Sequence, residues 1–177
     1  MINNDNYMNF IADSKLPNGN RDEDLYFLFK DKMMLIKEDM GKVFIPTFKD
    51  VKNLISGLEI MYHLGKVNEI HCFCGEISSC VKVSGELKFV GLRQVIPIID
   101  KDIAPVCGRA SQIIHFHKTN KFCGVCGGEN EFVGYEFAMK CKKCGYMSYP
   151  QVCPAIIVGI TKGDKILLAN NKSFPEG

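Results

Sequence analysis

Cys123, Cys126, Cys141 and Cys144 form the pattern C-x2-C-x14-C-x2-C, and no other feature of the 177-residue sequence restricts the fold as strongly. Each pair can close a tight knuckle that aims two sulfurs at one point. The intervening Glu131–Lys140 segment can fold as a hairpin that brings the knuckles face to face. Four thiolates then make the closed tetrahedral cage of a structural zinc ion. Gly127 and Gly145 follow the second cysteine of each pair, where positive φ lets backbone N–H groups reach sulfur. Four thiolates and one Zn²⁺ carry about −2 of charge, and Lys121, Lys140, Lys142 and Lys143 lie nearby in sequence to offset it. Iron fits the same all-sulfur cage. Redox pairing through Cys-x-x-Cys is the alternative to metal, and two pairs at ribbon spacing favour metal. A closed cage offers no open position, so this metal is expected to be structural, not catalytic.

The remaining composition agrees with an intracellular chain. Nine cysteines is an odd number, and four of them already sit in the paired units. The first residues lack a basic region followed by an apolar one, so no secretory signal is visible. No apolar run approaches the ~20 residues of a membrane span, and a cytoplasmic location without membrane contact is expected. The formal net charge of +2 gives no general electrostatic footprint for nucleic acid.

Along the chain, residues 1–24 are polar, with a turn at Pro17-Asn18-Gly19. Leu25–Lys30 and Met33–Lys37 read as strands around Asp31-Lys32, and Val43–Ile45 as a third. Thr47, three residues before Asp50, opens a short helix in a capping-box pattern, with Gly57 as its stop. Residues 58–98 read as further strands through Ile96. Residues 102–119 read as a helix starting near Asp102, because Pro105 is tolerated only in a first turn. Its stripe is Ile103, Val106, Ala110, Ile113, Ile114 and His117. Pro154–Ile160 is nearly all apolar and suits a strand buried on both faces, with Lys165–Ala169 returning as its partner. The chain then reaches Phe174-Pro175-Glu176-Gly177, too short a stretch to complete a sheet locally.

Other candidates carry weaker patterns. Cys72 and Cys74 share one face of a strand and could bind metal with His71, although core thiols are the commoner reading. Cys80, Cys107 and Cys153 read as small apolar fillers. His115 and His117 point to different sides of a helix, which suits packing or a helix-end role better than chelation. His63 is uninformative alone. No Gly-x-Ser-x-Gly, phosphate loop or dinucleotide glycine fingerprint occurs. The ten glutamates never stand as adjacent pairs, so no helical carboxylate cluster for Mg²⁺ is encoded.

A set of local motifs gives more. Gly91-Leu92-Arg93-Gln94-Val95-Ile96, Gly108-Arg109, and Phe116-His117 ahead of Phe122-Cys123-Gly124-Val125-Cys126-Gly127 come first. Glu136-Phe137-Ala138-Met139-Lys140-Cys141, Tyr149-Pro150-Gln151 and Pro154-Ala155-Ile156-Ile157-Val158 follow. Together these resemble the bacterial NADH pyrophosphatases of the Nudix hydrolase superfamily, well over residues 91–170 and only in general character before that. The resemblance implies a homodimer with an N-terminal Nudix-like domain, a zinc ribbon and a C-terminal Nudix domain. It implies hydrolysis of NADH or NAD⁺ to AMP and nicotinamide mononucleotide, with NAD-capped RNA as a further substrate. By resemblance, Arg93, Glu136 and Tyr149 match positions that contact substrate. Arginine can fork onto phosphate, tyrosine can stack on a nucleobase, and glutamate can accept from amide or ribose donors. Without the resemblance, each reads as an ordinary surface or packing residue.

The Nudix box, G-x5-E-x7-R-E-U-x-E-E-x-G-U, is absent. Its glutamates hold the Mg²⁺ or Mn²⁺ that activates water. The chain is therefore expected to be the N-terminal part of such an enzyme, ending before the box and inactive alone. The expected fold is α+β: a small mixed α/β Nudix-like domain over residues 1–98, a linking helix over 99–120, the ribbon over 121–150, and the first β-hairpin of an incomplete Nudix domain over 151–177. The alternative is a stand-alone zinc-ribbon module that binds nucleic acid or a protein, with Lys140, Lys142 and Lys143 as a basic patch.

Overall fold

The computed structural model describes residues 10–168. Its main sheet follows from side-chain alternation. In β2 (Leu25–Lys30), Phe27 and Phe29 enter one buried cluster, and Tyr26 and Leu28 enter the opposite one. β3 (Met33–Asp39) sends Met34 and Ile36 to the first face and Leu35 to the second. β6 (Ile70–Ile77) does the same with Cys72 and Cys74 against Phe73 and Ile77. Successive strand side chains point to opposite faces, so a continuous apolar run is what a strand covered on both sides requires. Each such side chain contributes about 1.5–3 kcal/mol when fully buried.

The other strands are β1 (Phe10–Ala12), β4 (Lys42–Phe44), β5 (Leu58–Val67) and β7 (Leu87–Gly91). The order is β1-β5-β6-β2-β3-β4, with β7 also paired to β3. β2 and β6 run parallel, and the remaining pairs are antiparallel. The two-residue turns Asp31-Lys32, Met40-Gly41 and Asn68-Glu69 all have positive φ, the geometry that matches strand twist in tight hairpins.

The second face is covered by α1 (Phe48–Val51), whose Val51 is fully buried. The Asp50 carboxylate accepts from the Thr47 backbone N–H at 2.9 Å, as the capping pattern predicts, and pairs with Lys37 at 2.8 Å. The first face is covered by α3 (Ala104–Thr119), with Pro105 in its first turn. Its buried side chains are Val106, Cys107, Ala110, Ile113, Ile114 and Phe116. Cys107 and Phe116 thus join the expected stripe, while His117 is half-buried and meets the Tyr62 hydroxyl. An ion pair from Lys118 to the buried Glu76 of β6 ties the helix end to the sheet.

The helix opened by Thr47 ends at Val51 instead of Gly57, and a separate 3-10 turn spans Ile55–Gly57. Three further expectations change. Residues 92–95 are not strand but a helical turn, α2 (Leu92–Val95), capped by Gly91. The reason is spacing: Val95 and Ile99, four apart, both enter the first cluster. Second, Pro154–Ile160 is not a buried strand. It forms no ladder, and Ile156 and Ile157 are 84% and 103% exposed. A doubly buried strand needs sheet on both sides, and among the described residues only the small β11 (Thr161–Lys162) and β12 (Lys165–Ile166) hairpin stands beside it. Ala169 and the Phe174–Gly177 end lie outside the described residues. Third, Cys80 and Cys153 are exposed, while Cys107 alone of its group is a buried filler. No helix among the described residues is long and apolar enough to cross a membrane.

Candidate metal centre and the neighbouring acidic-aromatic pair

The ribbon is a three-stranded antiparallel sheet of β8 (Asn130–Val133), β9 (Ala138–Cys141) and β10 (Met147–Ser148), in the order β10-β9-β8. The two knuckles are built alike. The Gly127 N–H donates to the Cys123 carbonyl at 2.9 Å, and the Gly145 N–H donates to the Cys141 carbonyl at 2.9 Å. Both glycines have positive φ, 69° and 75°, which a side chain would resist. The Lys142 N–H to the Glu129 carbonyl, 2.9 Å, stitches one knuckle to the other.

This framework gathers all four sulfurs within 4.8 Å of one another. Cys123 and Cys144 sulfurs are 3.7 Å apart, and those of Cys126 and Cys141 are 3.5 Å apart. A zinc–sulfur bond near 2.3 Å gives a tetrahedral edge of about 3.8 Å, so the cluster has the dimensions of a four-thiolate cage. A disulfide would need about 2.05 Å. Backbone donors also face sulfur: Val125 N–H to Cys123, and Lys143 and Cys144 N–H to Cys141, each at 3.4 Å. The Cys144 N–H first, and the Lys143 N–H with it, lower the Cys141 thiol, while Cys126, despite the Gly128 N–H, is raised by its hydrogen bonds with Cys144 and Cys141. Thiolate is the form that ligates metal. The donor set therefore fits zinc.

Glu136 sits in the turn between β8 and β9, and Tyr149 follows β10. The hairpin brings them together, and the Tyr149 hydroxyl donates to Glu136 Oε1 at 3.4 Å. Partial burial first, then the Glu136 carboxylate, raises the Tyr149 phenol above its ordinary value. Tyr149 is 52% exposed. Arg93 stands apart, exposed on α2 at the sheet. Among the described residues no hydrogen bond or ion pair joins it to Glu136 or Tyr149. The Cys72, Cys74 and His71 group is not a metal site: both thiols are buried in the sheet core, and burial raises both, Cys72 to about 12. His71 instead meets His63 at 2.9 Å. A cavity of about 490 Å³, lined by Leu25, Phe44 and Ile99 with Lys37 and Asp50, holds none of the three expected substrate contacts.

Sequence reasoning missed the seam that seats the ribbon on the sheet. Phe132 of β8 packs tilted against Tyr62 of β5 with ring centroids 4.0 Å apart, and the Phe137 ring lies 6.4 Å from that of Phe132. The Tyr62 hydroxyl meets His117 Nδ1, and burial first, then Lys121, keeps this imidazole below its ordinary pKa. The available signal was Phe132 and Phe137 flanking the short turn of the ribbon hairpin.

Known proteins and a family model resemble parts of this chain. The NAD-capped RNA hydrolase NudC of Haemophilus influenzae (strain PittEE) is 43% identical over 89 residues, 50% of this chain and 33% of that protein. Its counterpart from Photobacterium profundum is 42% identical over 79 residues, 45% of this chain and 30% of that one. The Pseudomonas putida (strain W619) protein is 38% identical over 105 residues, 59% and 38% respectively. The chain thus spans about a third of the length of the curated relatives it matches. The family model of the NADH pyrophosphatase-like rudimentary NUDIX domain matches residues 23–115, the sheet apart from β1 together with most of α3. That stretch is more than half of the 177 residues, and the chain belongs to the NADH pyrophosphatase-like rudimentary NUDIX family.

Proposed function

We propose that this chain supplies the substrate-facing ribbon and the supporting domain of an NAD(H) pyrophosphatase. The enzyme would hydrolyse the pyrophosphate of NADH or NAD⁺, or of an NAD cap on RNA, to release the nicotinamide mononucleotide half. The observation that carries this reading is the Glu136–Tyr149 pair at 3.4 Å, at the turn end of the ribbon hairpin whose other end carries a four-cysteine cluster, in a chain of this family. Tyr149 offers a ring face for a nucleobase or the nicotinamide, and Glu136 accepts from an amide or ribose hydroxyl. Arg93, exposed on α2, forks onto phosphate. Cys123, Cys126, Cys141 and Cys144 hold a structural Zn²⁺ that fixes the Glu136 turn and the approach to Tyr149.

Mg²⁺ or Mn²⁺ supplies water activation and charge neutralisation at the pyrophosphate when bound to Nudix-box glutamates, which these 177 residues do not contain. The exposed apolar run Val152–Ile160 supports this division of labour, because so large an apolar patch marks a contact surface. In the whole enzyme it would enter the sheet of a catalytic domain. A cytoplasmic homodimer completes the proposal, and the four-way division into residues 1–98, 99–120, 121–150 and 151–177 belongs to it. The alternative of a nucleic-acid-binding ribbon is weakened by the Lys142–Glu129 ion pair at 3.3 Å, which occupies one lysine of the patch.

The test compares metal-dependent NADH hydrolysis by this chain and by a form extended by ~60 residues, enough to add a carboxylate helix. No AMP release from the first and robust release from the second is expected. Turnover by the 177-residue chain itself, free of contaminating enzyme, overturns the assignment of catalysis to added residues.

A further inference from the structure

Arg109 occupies an unusual position between three pieces of the molecule. It stands half-buried on α3. Its guanidinium carbon lies 5.1 Å from the ring centre of Phe137 and 5.7 Å from that of Phe10. Phe10 begins β1, which pairs with β5 through Phe10–Val67. Phe137 directly follows Glu136 and directly precedes β9, the strand that ends in the ligand Cys141. The Arg109 Nε–H is buried and has no hydrogen-bond partner. A buried, unpartnered donor is costly, so an aliphatic residue would fill this place more cheaply if packing were the whole purpose. What the arginine gains there is the attraction of two rings for a cation.

We propose that Arg109 is a positioning residue: it clamps Phe137 between helix and strand and so sets the Glu136–Tyr149 pair. Phe132, tilted onto Tyr62, seats the β8 side of the ribbon hairpin on the sheet, where both Phe132 and Phe137 pack against the first cluster. Arg109 on Phe137 adds a second point, on the far side of the turn that carries Glu136. Two contacts fix the direction in which the Glu136 carboxylate leaves the turn. A lysine places a cation over the same rings, although without the stacking plane of the guanidinium.

The inference rests on the reading of Glu136 and Tyr149 as substrate contacts, but its test does not need substrate. The zinc-loaded 177-residue chain is prepared as wild type, R109M, R109K and F137L, with zinc content and the sheet's unfolding midpoint checked for each. The Tyr149 phenol is titrated by site-resolved tyrosine NMR. In R109M and F137L its midpoint should move down towards the ordinary tyrosine value of about 10, because Glu136 swings away from the hydroxyl. R109K should hold the wild-type midpoint. F137L leaves the helix intact, so it decides the matter if R109M fails to fold. A Tyr149 midpoint unmoved in F137L, or in a folded R109M, overturns the clamp. NADH binding by the same variants of the extended form separates the two readings. A Tyr149 response in an extended form that never binds NADH keeps the clamp and discards the substrate role. NADH binding with an unmoved Tyr149 discards the clamp alone.

Discussion

The sheet and the ribbon are built by different means. The sheet buries long apolar runs on both faces: Tyr26, Phe27, Leu28, Met34 and Leu35 are wholly enclosed. The ribbon buries little apart from Val133, Ala138, Met139 and two of its own cysteines. Its hydrogen bonds hold the two knuckles in shape but cannot supply an apolar core. In the first region conformational entropy is offset by burial; in the second it has to be offset by metal. Each region should therefore fail independently, and by its own cause.

The largest expected effect is metal removal. Structural zinc provides about 10–16 kcal/mol of folding free energy in small zinc-finger peptides. Chelation of the purified chain should release zinc and unfold residues 121–148 while the sheet stays folded. Hydrogen exchange reads both regions at once: β8 and β9 amides should lose protection, and β2 and β6 amides should keep it. A ribbon that stays protected without metal ends the comparison.

Next in size is the mirror experiment. Phe27→Ala leaves a cavity in the first cluster, where Phe27 is fully buried beside Phe29 and Met34. Such truncations cost about 3–5 kcal/mol. Urea denaturation should show that loss in the sheet transition, with the zinc-to-protein ratio unchanged at low urea. Coupled loss of zinc would mean that the seam from Tyr62 to Phe132 carries more than orientation.

A smaller effect probes the cage from inside. A Cβ added at Gly128 would lie 2.8 Å from the Lys143 Cβ and 3.2 Å from the Cys141 sulfur. Neither is the far end of a flexible side chain, so the knuckles must move apart. Gly128→Ala should weaken the metal site by about 1–3 kcal/mol, the usual cost of overpacking. Competition with a chromophoric chelator checks it, and the urea midpoint of the sheet should not change.

The same contrast explains what is readable in the sequence. Ligand spacing is local chemistry, so Cys123, Cys126, Cys141 and Cys144 and the hairpin between them follow directly from it. The strands β2 and β3 follow from continuous apolar runs, and α3 from its stripe. The turn at Leu92–Val95 is hidden because Leu92-Arg93-Gln94-Val95-Ile96 also resembles a strand, and only Val95 and Ile99 reaching one cluster decides it. Pro154–Ile160 misleads because hydrophobicity reports a demand for burial, not its fulfilment. The Arg109, Phe137 and Phe10 contacts join residues far apart in sequence, and no local pattern encodes them.

The smallest effect concerns acid, and it acts on both regions through two histidines. His63 is buried on β5, where burial first, then its neighbour His71, lowers its pKa; Asp13 opposes them. His117 at the ribbon seam is lowered by burial first and then by Lys121, with Glu76 opposing. Both imidazoles are therefore more readily protonated in the unfolded chain than in the folded one. Below the unfolded value of about 6.5 the unfolded state binds more protons, so stability falls with pH until it passes the folded values. Above about 6.5 this contribution is fully present and flat. His117→Gln keeps a hydrogen-bond partner for the Tyr62 hydroxyl and removes the titration, so it should flatten part of the slope between about pH 7 and 5. Zinc-bound protein must be compared at each pH, because protonation of the thiolates also releases metal. A His117→Gln chain whose unfolding midpoint falls as steeply as wild type, with zinc still bound, would place the acid sensitivity on the sheet side, at His63, and leave the seam insensitive to acid.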